Sequence, residues 1–384
     1  PKYLIGLSLH AGRFPLLGPN SAILWYKDIN RKFGSPEMLM VARVPSALLG
    51  ALGCLALYAI GSLAGDRRTG WIAFFLLMIN PLYGLHARRA MSDVPCEAFI
   101  LASLAAGLAA WLWFLRGRWM SPTSWMMIVL AGVFAGLALL CKFNGLLALM
   151  TLGAWCILGL AIRGTGLPVK VSLIAGTGMA AILAFAVFVA LNPFMRIHTS
   201  VKLPDDMAAL ERMNPWERFR FQMKHRTELS EGQQEQFPHN ALISTVEKIK
   251  VVAVQGFGRF GPLGKHGWSS AEKTSEERYA WSQDWGASAW GPLVVAGFVA
   301  TFLLGLRQHR EGEIPAGWAV LAWGLVTFGV VTIYIPMAWD RYLLPIQGVS
   351  CLLVAVLCSA VWDRVTRPWA AVATTETETG VAEA

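Results

Sequence analysis

Residues 125–162 read WMMIVLAGVFAGLALLCKFNGLLALMTLGAWCILGLAI. Lys142 is the single charged residue of this stretch. A helix needs roughly 20 mostly apolar residues to cross the hydrocarbon core of a bilayer. The stretch therefore predicts two consecutive membrane-spanning helices, over about 125–141 and 143–162, with almost no polar spacer between them.

The same pattern recurs along the chain. Its 384 residues are 55% hydrophobic and 15% charged, and the mean hydropathy is +0.49, outside the usual composition of a soluble domain. We predict an all-α integral membrane protein, a multi-spanning helical bundle of about nine transmembrane helices with interfacial helices and one large extracytoplasmic loop. The predicted spans lie at about 40–64, 70–85, 96–115, 125–141, 143–162, 169–192, 288–306, 316–336 and 342–362.

Composition also divides the chain into segments. Within the largest polar segment, 207–226 is helix-like and Ile249–Val254 is strand-like. The last segment ends in the acidic repeat TETET at 375–379, a composition typical of disorder. The predicted segments are a first outer loop with interfacial helices (1–36), six spans (37–193), an extracytoplasmic loop or subdomain (194–287), three spans (288–363) and a disordered cytoplasmic tail (364–384).

Basic residues predict the orientation of the bundle. If the first span begins outside, each predicted inner loop contains two Lys or Arg residues, ten in all, against four in the short outer connections. This distribution agrees with the positive-inside rule, so we interpret the net charge of +9 as topology rather than as nucleic-acid binding. The inner residues are Arg67, Arg68, Arg116, Arg118, Arg163, Lys170, Arg307, Arg310, Arg364 and Arg367, and the outer ones are Arg88, Arg89, Lys142 and Arg341.

Two polar motifs fall on the predicted outer side within the first half of the chain. In HARRAMSDVP (86–95), Asp93 follows Arg88 by five residues, and such a pair at a membrane rim can orient a cation, a phosphate or a sugar hydroxyl. In LCKFNG (140–145), Lys142 is costly unless it snorkels or meets an anion. An ordinary charged turn and a snorkelling lysine are the alternatives.

Two further groups lie on the same side. In WDRYLLP (339–345), Arg341 can grip a phosphate through two parallel hydrogen bonds, which a lysine does less well. A local pairing of Asp340 with Arg341 is the alternative. The last group is Arg43 with Pro45 at the mouth of the first span, together with Asn80-Pro81 and Asn192-Pro193, and its alternative is simple helix punctuation.

Nucleotide and metal motifs are not supported. GFGRFG (256–261) spells G-x-G-x-x-G, but Pro262 follows where a helix would have to open, so we interpret it as a loop that closes over a site. The six cysteines lack paired spacing, and the seven histidines lack the spacing of a zinc site. For a divalent cation, the residues that remain are Asp93 and His86.

At these motifs the sequence resembles the polyprenyl-phosphate-dependent glycosyltransferases of the GT-C class, in the bacterial branch related to protein O-mannosyltransferases and the lipid A aminoarabinose transferase. The resemblance implies a multi-pass plasma (inner) membrane enzyme with an extracytoplasmic active face and a cytoplasmic C-terminus. It covers most of residues 1–200 and returns at 330–350. It rests on PKYLIG (1–6), ARVPSALLG (42–50), Arg88 with Asp93, GLALLCK (136–142) and RYLLP (341–345).

The resemblance also implies the reaction and its partners. The donor is a sugar on a polyprenyl phosphate, and the acceptor is a hydroxyl of a glycan, lipid or protein, with inversion at the sugar carbon. Asp93 matches the second acidic position of the family, and the residues expected to bind the lipid phosphate are Arg88, Lys142, Arg341, Tyr342 and Arg43. A carboxylate is expected to act as the general base.

Two other functions stay open at this point. In the family, the main acidic motif lies in the first outer loop, so we expect this chain to begin downstream of it, as an N-terminally truncated member. A non-catalytic relative that binds polyprenyl lipids is then one alternative. A secondary transporter or lipid flippase is the other, although the sequence shows no internal repeat and its charged residues lie at the rim rather than deep in the spans.

Overall fold

The computed structural model describes residues 2–13, 36–195, 210, 212–238, 241–256 and 285–380. Apart from short 3-10 turns and an isolated bridge between Ala241 and Met337, regular structure in these segments is α-helical. The helices are α1 (Lys2–Ala11), α2 (Pro36–Ala64), α3 (Arg67–Met78), α4 (Pro81–Ala87), α5 (Asp93–Leu115), α6 (Pro122–Cys141), α7 (Leu146–Ala161), α8 (Leu167–Leu191), α9 (Pro215–Gln236), α10 (Thr245–Gln255), α11 (Trp285–Arg310), α12 (Ala316–Tyr334) and α13 (Pro345–Gly380).

Among the described residues, eight helices are long and apolar enough to cross a membrane, and the count rises to nine if the bent pair α3 and α4 forms one span. This confirms the prediction of a bundle with about nine spans. The eight spans are Pro36–Ala64, Asp93–Leu115, Pro122–Cys141, Phe143–Ala161, Leu167–Leu191, Ala289–Arg310, Ala316–Tyr334 and Pro345–Thr366.

The second predicted span is broken. Helices α3 and α4 meet at an angle of 64°, because Asn80 and Pro81 start a new helix there. The Asn80 side chain accepts a hydrogen bond from the Tyr83 N–H, and Pro81 occupies the first turn, where its missing N–H costs nothing. Asn80 also donates to the buried Gln347 at 3.0 Å, which ties the break to α13.

One end of the bundle is held by polar contacts between distant parts of the chain. Arg68 at the start of α3 pairs with Asp363 of α13 at 2.9 Å. Gln308 of α11 donates to the carbonyl of Ala64 at 3.0 Å. These contacts gather the C-terminal ends of α2, α11 and the last span, and the predicted inner basic pairs lie at this end.

Helix α5 forms the centre of the bundle. Its apolar side chains are buried on nearly every side, among them Leu101, Leu104 and Leu108. A helix buried all round is expected for a central span, since only outer spans need a face that suits lipid. The N-terminal end of α5 therefore lies among the ends of its neighbours rather than at the edge of the bundle.

The segment between the sixth and seventh predicted spans contains two helices instead of a helix and a strand. The strand expectation at Ile249–Val254 was wrong, because these residues belong to α10. A capping box formed by Ser244 and Glu247 starts α10, and Val251 is fully buried. Capping and burial thus outweigh the β preference of the valines. The helix expected at 207–226 is α9, which begins at Pro215.

Other segment predictions meet the limits of the described residues. Helix α1 lies in the predicted first outer loop, whereas 14–35 and the loop 257–261 of the glycine motif are outside the described residues. The backbone of α13 is helical to Gly380, which differs from the disorder expected over 364–384. The last span runs into this stretch without a break, and the residues that follow simply continue its helix.

Candidate functional site

A small cavity lies at the end of the bundle opposite the Arg68–Asp363 pair. Its empty volume is about 210 Å³, which includes space that is open to solvent, and within it there is room for about one water molecule. Three elements meet there, namely the start of α5, the junction between α6 and α7, and the turn before α13. The lining residues are Asp93, Cys96, Glu97, Ile100, Lys142, Asn144, Arg341, Leu344 and Pro345.

Lys142 reaches the cavity because α6 ends immediately before it. Its backbone is extended (φ −164°, ψ 149°), and the chain then turns back on itself. Gly145 permits this turn, since a Cβ there would overlap the backbone of Ala138 and Leu139. The Lys142 Nζ donates to Asp93 Oδ1 at 2.8 Å. The lysine that the sequence left without a partner is therefore half of an ion pair.

Asp93 is the buried half of this pair. Its side chain is 6% exposed, against 26% for Lys142. Asp93 opens α5, and the free N–H groups of a helix's first turn favour a carboxylate. Nearby, the Cys96 thiol donates to the carbonyl of Ala138 at 3.5 Å, which holds α5 against α6. The charge pair is thus built into a helix contact.

Arg341 enters the cavity from a short 3-10 turn, Asp340–Tyr342. Its guanidinium carbon lies 4.4 Å from the centre of the Trp339 ring and 5.4 Å from that of Tyr342. Lys142 Nζ lies 5.1 Å from the Tyr342 ring. Cations are attracted to such ring faces. Among the described residues, the Arg341 guanidinium has no carboxylate partner, so its hydrogen-bond donors are open to a ligand.

Asp340 does not neutralise Arg341. Its Oδ1 accepts a hydrogen bond from the backbone N–H of Arg341 at 2.7 Å. Its Oδ2 lies 3.4 Å from His86 Nε2 and 3.8 Å from Arg89 Nη1, and the contact with His86 is not an aligned hydrogen bond. The local pairing of the two side chains, which was the alternative for this motif, is therefore not formed.

The environment of Asp340 favours its charged form. Burial raises the pKa of this carboxyl, but His86, the backbone N–H of Arg341 and the charge of Arg89 together outweigh burial. The pKa of Asp340 consequently lies below its ordinary value of 3.8. The carboxylate holds the turn in place through the backbone N–H of Arg341 and through its contacts with His86 and Arg89.

Glu97 is a cavity residue that sequence reasoning missed. It lies four residues after Asp93, on the same face of α5, and is 2% exposed. Neither of its carboxylate oxygens has a hydrogen-bond partner among the described residues. The signal was present as an acidic pair at positions i and i+4, but Glu97 was absorbed into the edge of an apolar run.

Comparison with known proteins identifies the family of this chain. The sequence profile of the family described as "Dolichyl-phosphate-mannose-protein mannosyltransferase" matches residues 2–198, which is half of the chain. The chain belongs to this family. The family resemblance inferred from the sequence motifs is thereby confirmed. A comparison with curated protein sequences found no match.

Solved structures show the same fold. The Archaeoglobus fulgidus oligosaccharyltransferase in its apo form is 15% identical with a TM-score of 0.53, and the match covers 97% of this chain and 48% of the other. The archaeal oligosaccharyltransferase AglB of the same organism, in complex with an inhibitory peptide and a dolichol-phosphate, is 14% identical with a TM-score of 0.52, covering 94% and 44%. This family member thus spans about half the length of the solved proteins that it resembles.

Two predicted phosphate ligands lie away from the cavity lining. Arg88 is exposed and its Nε donates to the carbonyl of Gly84 at 3.1 Å. Arg43 is an exposed residue of α2. The structure thus brings together Asp93, Lys142 and Arg341, with Tyr342 stacked beside them, and leaves the roles of Arg43 and Arg88 as predictions.

The two residues that were kept for a divalent cation belong to different pairs. His86 contacts Asp340, whereas Asp93 binds Lys142. Within the described segments, no group of three His, Cys, Asp or Glu side chains is arranged to hold a metal ion. The described residues of this family member therefore provide no set of three side chains that could bind a catalytic metal ion.

Proposed function

We propose that this chain is a membrane glycosyltransferase of the GT-C class, which transfers a sugar from a polyprenyl phosphate to an acceptor hydroxyl at the outer face of the plasma membrane. One observation carries the proposal: the cations Lys142 and Arg341 and the carboxylates Asp93 and Glu97 surround one cavity at one end of a membrane-spanning bundle. Membership of the mannosyltransferase family and the likeness of fold support it.

The two cations suit the donor phosphate. Arg341 offers a planar set of donors that has no carboxylate partner among the described residues, and it lies over Trp339 and Tyr342 on the cavity lining. Lys142 adds a second positive charge on the same lining. When the bond between the sugar and the phosphate breaks, negative charge grows on the phosphate, and fixed cations stabilise that charge.

The pairing of Lys142 with Asp93 suggests how the base becomes available. A donor phosphate competes for Lys142, and a lysine drawn toward it releases the carboxylate. Asp93 then accepts the proton of the acceptor hydroxyl while the hydroxyl oxygen attacks the sugar carbon. The bond from that carbon to the phosphate oxygen breaks as the new bond forms, so the lipid phosphate leaves. A single displacement of this kind inverts the configuration.

The orientation of the bundle follows the same proposal. The inner basic pairs, such as Arg67 with Arg68, lie at the end of the bundle opposite the cavity. Cytoplasmic enrichment of Lys and Arg then directs the cavity toward the outside. The acceptor is a hydroxyl of a glycan, lipid or protein, and the family description points first to a protein hydroxyl.

The experiment is a transfer assay with the full-length protein in membranes, using radiolabelled sugars on polyprenyl phosphate. We expect Asp93→Asn to abolish transfer. Arg341→Ala should lower binding of the sugar-free polyprenyl phosphate by about tenfold or more, as expected for the loss of a hydrogen bond to a charged group. Arg307→Ala is the matched control, because Arg307 pairs with exposed Glu311 at the opposite end.

The outcomes separate the candidate functions. Equal losses for Arg341→Ala and Arg307→Ala would contradict the phosphate assignment. Binding without transfer by the wild type, across several donor sugars, would favour the non-catalytic relative. Movement of the lipid phosphate between leaflets without transfer would favour a flippase.

A further inference from the structure

Glu97 is the most deeply buried acidic side chain on the cavity lining. Only 2% of its surface is exposed, and both carboxylate oxygens are without hydrogen-bond partners among the described residues. A buried carboxyl group without hydrogen-bond partners is costly in a protein interior, whether it is ionised or neutral, so such a group calls for an explanation. The proposed reaction does not use it.

The fold itself offers Glu97 little compensation. It is the fifth residue of α5, beyond the first turn whose N–H groups are free to bind an acid. Lys142, a cation on the same lining, is engaged with Asp93 at 2.8 Å. Across the helix contact, a Cβ on Gly348 would lie 3.3 Å from Glu97 Oε1, so α13 presents only backbone there. A purely structural role would leave the carboxylate without hydrogen bonds.

The position of Glu97 suits a sugar better than a phosphate. It lies one helical turn beyond Asp93, about 6 Å further along α5 from the rim of the bundle. An ionised carboxyl group repels a phosphate, and in either protonation state the group accepts hydrogen bonds from hydroxyl groups. With the phosphate held by Lys142 and Arg341, the attached sugar is the part of the donor that can approach Glu97, and its entry requires the cavity to widen from the water-sized space of this structure.

We propose that Glu97 binds a hydroxyl group of the donor sugar and thereby selects which sugar the protein accepts. This inference rests on the proposed function and deepens it. A site built to bind a hydroxyl discriminates strongly against a ligand that lacks the group or presents it in another direction, because the buried acceptor is then left unpaired. Glu97 thus determines which sugar is accepted, whereas Lys142 and Arg341 bind the phosphate.

The test compares two kinds of probe on the full-length protein in nanodiscs. One is polyprenyl phosphate without a sugar, and the other is a panel of mannosyl, glucosyl, galactosyl and arabinosyl polyprenyl phosphates. We expect Glu97→Gln to weaken binding of the preferred sugar donor by about tenfold or more and to flatten the preference among sugars. Binding of the sugar-free lipid should change by less than about twofold. Glu313→Gln, an exposed residue at the opposite end, is the matched control.

A second readout separates recognition from folding. Because no described residue is a hydrogen-bond partner of the Glu97 carboxyl group, Glu97→Leu should leave the melting temperature of the ligand-free protein unchanged or raised. A lowered melting temperature, or equal weakening of both probes by Glu97→Gln, would overturn the proposal. An unchanged sugar preference in Glu97→Gln would also overturn it while leaving the glycosyltransferase intact. Failure of the wild type to bind any of these lipids would refute both.

Discussion

Replacing Lys142 by methionine removes the partner of a buried carboxylate while keeping the length of the side chain. The Asp93 side chain is 6% exposed, so its charge cannot be solvated in place. Breaking a buried ion pair by removing one partner costs about 3–5 kcal/mol. The Lys142 side chain is 26% exposed, which lets water approach, so we expect a smaller loss, about 2 kcal/mol.

The double variant decides whether this loss comes from the pair. In Lys142→Met with Asp93→Asn, no unpaired charge remains, so the double variant should recover most of the stability lost in Lys142→Met. The two changes are therefore expected to be non-additive by about 1–2 kcal/mol. Arg307→Met is the control, because its exposed i,i+4 pair with Glu311 contributes only about 0.3–0.5 kcal/mol.

Thermal unfolding of the full-length protein in detergent measures the effect. In a chain of this size, 1 kcal/mol corresponds to roughly 1–2 °C, so Lys142→Met should lower the melting temperature by about 2–4 °C. The control should change it by less than about 1 °C. An unchanged melting temperature for Lys142→Met, or a shift in the double variant equal to the sum of the single shifts, would refute the reasoning.

Two further predictions concern the turn beside the cavity and the orientation of the bundle. Because the pKa of Asp340 is below 3.8, its carboxylate stabilises the fold fully above that pH and less as the pH falls through the folded-state pKa. Paired melts should therefore show a difference between wild type and Asp340→Asn that is constant near about pH 5–6 and shrinks below about pH 4, and a difference that grows on acidification would contradict this. In intact cells with a cysteine-free background, a membrane-impermeant maleimide should label Met91→Cys, 43% exposed near the cavity, but not Met120→Cys, 73% exposed at the opposite end. The reverse pattern would overturn the proposed orientation.

Apolar run length was sufficient to predict the spans. Each predicted run coincides with a described helix or, at about 70–85, with the bent pair, and extends at most three residues beyond the ends of its helix. This works because the bilayer leaves backbone groups no partner outside the helix itself, so length and apolarity alone select the structure. The bend at Asn80 was harder to predict. The Asn80-Pro81 pair is visible in the sequence, but its contact with Gln347 of α13 is set by the tertiary structure.

Outside the spans the sequence was a poorer guide. The valines near Val251 suggested a strand, but in the structure they form the buried side of α10. Their β preference is small, and packing against the bundle decides the conformation of a short segment. The same limit applied to Arg88, which the motif placed with Asp93 but whose side chain is exposed on the surface.

The sequence was sufficient to predict several residues that line the cavity, but not which of them contact each other. Asp93, Lys142 and Arg341 could be singled out because charged residues at span ends are costly and therefore informative. Their partners could not be inferred: the sequence did not indicate that Lys142 pairs with Asp93, and its binding of the lipid phosphate stays a prediction. Likewise, Asp340 is adjacent to Arg341 in the chain but directs its carboxylate toward His86 and Arg89.

What the sequence by itself determined was the membrane class, the number of spans and the end of the bundle on which the polar residues gather, because these depend on runs of residues along one chain. The tertiary structure alone decided which charges pair, which remain open to a ligand, and that Glu97 faces the cavity. These features depend on how α5, the α6–α7 junction and the turn before α13 meet. Side-chain distances across helices that are far apart in the chain are fixed by packing, which no local pattern encodes.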